Sequence, residues 1–158
     1  MQITLAHIGG KAGKAGPKSN YEALTRMYVE RIVPYFPCAV EVFATEAAFL
    51  SWLAAPRQSG KAARVAALPV LLDSRGKQMA STEFAGWMGA RRDQGLQHVV
   101  FAIGPADGWS AAATSGAGVM MLSLGVMTMA HELARLVLAE QVYRSATILA
   151  GHPYHSGH

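Results

Sequence analysis

The feature that most constrains this chain is the regular exchange of short apolar runs with helical segments. Gln2 to Ile8, Ala39 to Ala44, Leu68 to Asp73, His98 to Ile103 and Val119 to Leu124 all have strand length and composition. Gln2 to Ile8 reads as alternating. The others, such as HVVFAI, are apolar with little in–out alternation. Strands of that kind belong to a sheet covered on both faces, so we read an α/β fold with a mainly parallel sheet flanked by helices. Ligands of such sheets bind beyond the carboxyl ends of strands. Three ends stand out: Leu72-Asp73, Gly104 to Gly108 (GPADG) and the turn after Leu124.

The helical segments carry their own punctuation. Ser19 and Glu22 have capping-box spacing and open a helix with apolar or aromatic residues at Tyr21, Leu24, Met27, Tyr28 and Ile32. Pro34 and Pro37 close it. Thr45 is expected to cap a helix reaching Ala55. Pro69 belongs at the start of its strand, which is expected to end in a turn, SRGK. Ser81 is expected to cap a helix to about Gln94, stopped by Gly95. A weak helical stretch covers Ser110 to Ser115. The clearest helix is HELARLVLAEQVYRSATIL, with Leu133, Leu136, Val137, Val142, Tyr143 and Ala146 expected on one side. Gly151 and Pro153 end it.

Composition narrows the function classes. A chain of 158 residues with 51% hydrophobic content builds one ordinary core, and we expect a single domain over 1–158. One cysteine, Cys38, makes no internal disulfide and points to a reducing compartment. No signal peptide or bilayer-length apolar stretch is evident, so a soluble cytoplasmic protein is expected, without a membrane partner. The formal charge of +4 favours a polyanionic partner.

GGKAGKAG resembles a phosphate loop, but Ala15 stands where Ser or Thr is needed and Ile8 where the first Gly is needed. A basic loop touching a phosphate backbone through Lys11 and Lys14 fits better. No G-x-G-x-x-G follows a strand, which excludes the ordinary dinucleotide fingerprint. The tail GHPYHSGH holds three of six histidines. It reads as a three-histidine metal site, a solvated end, or a tail folded onto a neighbouring site, where a histidine handles a proton. Arg135 and Arg144 on one helix read as a phosphate-gripping face, or as surface paired with Glu132 and Glu140.

The residues LSLGVMTMAHELARLVLAEQVYRSATILAGHPYH, together with LLDSRGKQMASTEFA and FAIGPADG, occur in an order and spacing that resembles the ribosomal RNA large-subunit methyltransferase H family. The likeness covers roughly residues 68 to 155. It implies a SPOUT-type methyltransferase with a C-terminal trefoil knot, binding S-adenosylmethionine in a bent form. It further implies a homodimer with the site at the subunit interface, acting on N3 of a pseudouridine in large-subunit rRNA of the assembled ribosome. Carried over by motif, Leu72, Gly104, Leu124, Gly125, Val126, Met127, Thr128 and Met129 would hold the cofactor. Gly104 would do so by letting backbone approach the ligand. His155, Tyr154 and Arg144 would be catalytic, with His131 and Arg135 on the RNA-facing side, and no metal is needed. The chain departs from the family at Pro105, Ala130 and Ser156. The alternatives are another SPOUT RNA methyltransferase, a non-catalytic ribosome-binding protein, and a metal-binding α/β protein.

Overall fold

A computed structural model describes residues 1–9, 19–55, 58–59, 63–64, 67–116 and 118–155. Its elements in chain order are β1 Gln2–Ile8, α1 Asn20–Ile32, β2 Cys38–Phe43, α2 Glu46–Ala54, β3 Gln58–Ser59, β4 Ala63–Arg64, β5 Ala67–Gln78, α3 Ser81–Asp93, β6 His98–Ile103, α4 Ala111–Thr114, β7 Met120–Ser123 and α5 His131–Leu149. A 3₁₀ turn, Pro153–His155, follows. Lys11, Lys14, the basic loop around them, most of the linker before β5 and His158 lie outside the described residues.

Five strands form one sheet in the order β2-β1-β6-β5-β7, and every neighbouring pair is parallel. The sheet is covered on both faces. One face packs Ile3, Leu5, Val70, Val99 and Phe101 against Ile32 of α1, Phe84 and Met88 of α3, and Leu138 and Val142 of α5. The other packs Ala6, Ile8, Leu71, Val100 and Ala102 against Phe49 of α2 and Ala113 of α4. Double coverage explains why β1, expected to alternate, is instead buried at every position from Ile3 to Ile8. The α/β reading holds, and a C-terminal knot is compatible with this strand order.

Three local expectations need correction. The expected strand Leu68 to Asp73 is the first half of a longer one. β5 passes through SRGK and re-pairs with β7 after a shift, so that Leu72 and Lys77 both face Leu122. SRGK is therefore an irregularity within a strand rather than its end. Asp73 folds it locally, accepting from the Arg75 backbone N–H and guanidinium, each at 2.9 Å. Gly76 then runs so close to β7 that a Cβ would lie 2.6–2.7 Å from the backbone of Leu122 and Met121. Second, the cap of α3 is Ala80, not Ser81. Glu83 reaches back to accept from the Ala80 N–H at 2.8 Å, which frees Ser81 to donate to Gln141 of α5 at 2.8 Å. Third, the buried face of α5 centres on Leu138, Ala139, Val142, Tyr143 and Ala146, while Leu133, Leu136 and Val137 are half-buried.

The other caps follow sequence. Ser19 and Thr45 accept from the backbone N–H groups of Glu22 and Ala48, both at 3.2 Å. On α1, Ile32 is buried, whereas Tyr21 and Leu24 are exposed.

Candidate methyl-donor cleft and C-terminal cluster

Register places the site. Leu72 pairs with Ile103 on one side and Leu122 on the other, so the irregular SRGK stretch of β5 meets the ends of β6 and β7 at one edge. Two cavities open there. One, of about 230 Å³, is lined by Leu72, Gly104, Pro105, Trp109, Met129, His131 and neighbours. The other, of about 180 Å³, is lined by Leu72, Asp73, Leu124, Gly125, Met127, Thr128 and Met129 among others. Both include Leu72, Ile103, Met129 and Ala134, so they form one cleft. The cleft therefore brings together seven of the eight residues expected to hold a cofactor. Val126 lines neither cavity and is 79% exposed.

The loop after β7 is built for tight approach. Gly125 has φ +144°, with no heavy atom within 4 Å of where a Cβ would stand. Ser123 pins the turn, accepting from the Gly125 N–H at 3.1 Å and donating to its carbonyl at 2.9 Å. The loop after β6 is pinned by Trp109, whose indole N–H donates to the Leu72 carbonyl at 3.0 Å. The space that a Cβ on Gly104 would take is filled by this indole, 2.7 Å away at Cε2. Glycine is thus required there by packing, a reason the sequence did not show. Pro105, in place of the family glycine, accepts from the Gly108 N–H at 3.0 Å and closes a turn.

His131 begins α5 and lines the cleft. Its ring stands edge-on to His7 at 5.7 Å. Its Nε2 and both ring nitrogens of His7 are buried without a hydrogen bond. Burial, then Arg135, lowers the proton affinity of His131, with the backbone of Gly104 and Ile8 opposing. Burial first, then Arg135 and His131, pushes His7 down to about 4. His7 is therefore neutral at pH 7. Arg135 is half-buried and lines a small cavity with His7 and Thr25.

Arg144, Tyr154 and His155 come together elsewhere, around Glu140. Arg144 pairs with Glu140 at 2.7 Å, and Tyr154 donates to the same carboxylate oxygen at 3.2 Å. Arg144 lies 3.4 Å from Nδ1 of His155 and stacks over Tyr154 at 5.0 Å. Tyr154 also packs edge-on against Tyr143 at 4.7 Å. Burial, a hydrogen bond with Tyr28 and the Glu140 charge together raise the Tyr154 hydroxyl well above its ordinary value, so it stays a donor. Glu140 is a hub that sequence reading treated only as a surface partner. On α5 the cluster lies 13 residues beyond His131, about 20 Å along the axis. A third cavity, of about 300 Å³, lies between them, lined by Ser81, Phe84, Leu124, Gly125, Val137 and Gln141 among others. Gln141 bridges Ser81 and Glu140. Among the described residues no group of three metal-binding side chains occurs, and no helix is long and apolar enough to cross a membrane.

A doubly covered parallel sheet whose cleft is walled by the irregular stretch of β5 and the loops after β6 and β7 is the scaffold of a SPOUT-class methyltransferase, and residues 1–155 match the family described as "Predicted SPOUT methyltransferase". A protein of Koribacter versatilis named "Ribosomal RNA large subunit methyltransferase H" is 45% identical over 141 residues, covering 89% of this chain and 92% of the relative. One of the same name from Xanthobacter autotrophicus is 41% identical over 167 residues, covering 98% and 99%. A third, from Brucella ovis, is 47% identical over 98 residues, covering 62% and 57%. The chain belongs to the ribosomal RNA large subunit methyltransferase H family.

Proposed function

We propose that this chain is a cytoplasmic, single-domain enzyme that transfers a methyl group from S-adenosylmethionine to N3 of a pseudouridine in large-subunit rRNA. The observation that carries this reading is the cleft itself: the motif residues Leu72, Gly104, Leu124, Gly125 and Met127 to Met129, far apart in sequence, wall one space at the sheet's carboxyl edge. The cleft is of ligand size and mostly apolar, with the backbone at Gly125 exposed for close approach. When bound, S-adenosylmethionine supplies an electrophilic methyl on a sulfonium centre, so no metal is required.

The chain's own residues then align and shield. Leu72, Met129 and Trp109 exclude water along the apolar walls, while Ser123 fixes the turn that wraps the donor. The attacking nitrogen must lose its proton. His131 lines the cleft, and burial lowers its proton affinity, which favours an uncharged ring able to hydrogen-bond beside the attacking nitrogen. Arg144, Tyr154 and His155 orient the flipped target base, and Arg144 and Arg135 meet RNA charge. Lys11 and Lys14, outside the described residues, add positive charge that attracts the phosphate backbone.

Along α5, Arg144 lies about 20 Å from His131, too far for its side chain to reach that end of the cleft. This separation supports a homodimer in which one chain's cluster serves its partner's cleft. Mixing a chain disabled in the cleft (Gly125→Trp) with one disabled in the cluster (Arg144→Ala) tests it. Random reassortment restores about a quarter of wild-type methyl transfer, because half the dimers carry one intact composite site. No restoration, with heterodimers shown by mass spectrometry, contradicts the arrangement.

A further inference from the structure

We propose that Trp109 is a positioning residue for the methyl donor, a strut that sets the spacing of the Leu72 and Gly104 walls of the cleft. The inference rests on the reading that S-adenosylmethionine binds there. Trp109 is 9% exposed, and its ring lines the cleft beside both residues. A buried indole N–H needs an acceptor. It finds one in the Leu72 carbonyl at 3.0 Å, across from its own loop. The same ring closes on Gly104, occupying the space where a Cβ would lie 2.7 to 3.0 Å from it. One side chain thus touches both the irregular stretch of β5 and the end of β6, two separate walls of the cleft.

The ring has little freedom to swing. On its N-terminal side the chain turns at Gly108, with φ +90° and a hydrogen bond back to Pro105. On its C-terminal side Ser110 is held by Glu46 of α2 through both its backbone N–H and its hydroxyl. Behind it the ring packs on Phe49 at 5.7 Å. A ring fixed on three sides transmits its position to whatever occupies the fourth. In the Trp109→Phe variant the aromatic packing is kept and the tie to Leu72 is lost, so the cleft walls loosen without emptying the core.

The test is calorimetric titration of S-adenosylmethionine into the full chain, wild type and Trp109→Phe, with methyl transfer measured at saturating donor. The expected result is a Kd raised about tenfold in the variant, with kcat within about twofold, since a preorganised wall acts on binding more than on the chemical step. A merely structural role would lower the melting temperature and leave Kd unchanged. A second measurement keeps Trp109 native: in a Trp52→Phe/Trp87→Phe chain, its fluorescence is followed as donor is added. A saturable change in emission at the calorimetric Kd is expected. Unchanged Kd in the variant, or no emission change at confirmed saturation, overturns the inference alone. No binding by the wild-type chain overturns the donor reading and this inference with it.

Discussion

His7 shows how the scale of single residues shapes this molecule. Its ring is 6% exposed and makes no hydrogen bond, yet it abuts His131 and Arg135. Its folded proton affinity, at about 4, lies below the unfolded value of 6.5. Between those values the unfolded chain binds more protons than the folded one, so stability rises with pH across the window and is lost as pH falls from about 6.5 toward 4. The size is at most about 3 kcal/mol. Urea unfolding midpoints measured from pH 7 to pH 4.5 should fall more steeply for wild type than for His7→Leu; parallel slopes would contradict this assignment. At the cluster, Arg144→Ala should reduce methyl transfer on the order of 10²-fold while donor Kd stays within about twofold, because misplacing the target base damages alignment and not donor binding. The sequence made Arg144, Tyr154 and His155 legible through one family motif. The pairing of Glu140 with Arg144 is legible too, but its bond to Tyr154 is not, nor are Trp109 and His7, since these contacts join partners 14, 37 and 124 positions apart.

Elements were more legible than their ends. The run HVVFAI and the helix from His131 were read to the residue, because apolar length and flanking turn signals agree there. β5 was cut short because SRGK is polar and contains glycine, the usual signature of a turn. The structure uses that glycine for contact instead: Gly76 lets β5 cross β7 at backbone distance. A Gly76→Ala substitution should cost about 1–3 kcal/mol, the range for forcing atoms into a packed contact. Thermal or urea unfolding would show it, and an unchanged midpoint would refute the close crossing. The cap of α3 was misplaced by one residue for a related reason. A serine before a helix looks like a cap, but Glu83 satisfies the Ala80 N–H and Ser81 is drawn to Gln141 on α5. Long-range pairing won over local preference.

At the scale of the whole molecule, double coverage of the sheet leaves the carboxyl edge as the place for chemistry. β6 and β7 deliver loops to one cleft beside the irregular stretch of β5, and α5 carries His131 at one end and the Arg144 cluster toward the other. The apolar runs made the α/β sheet readable, and motif order made the cleft readable. The docking of the tail on α5 is not readable, because it depends on a contact between Tyr154 and Glu140 across the turn at Gly151. The most direct test of the account is methyl transfer from labelled S-adenosylmethionine to ribosomes lacking the modification, with the methylated nucleoside identified by mass spectrometry. The account predicts one methyl on N3 of a pseudouridine in large-subunit rRNA. Label on another nucleoside, or no transfer by a chain shown to bind the donor, would contradict it.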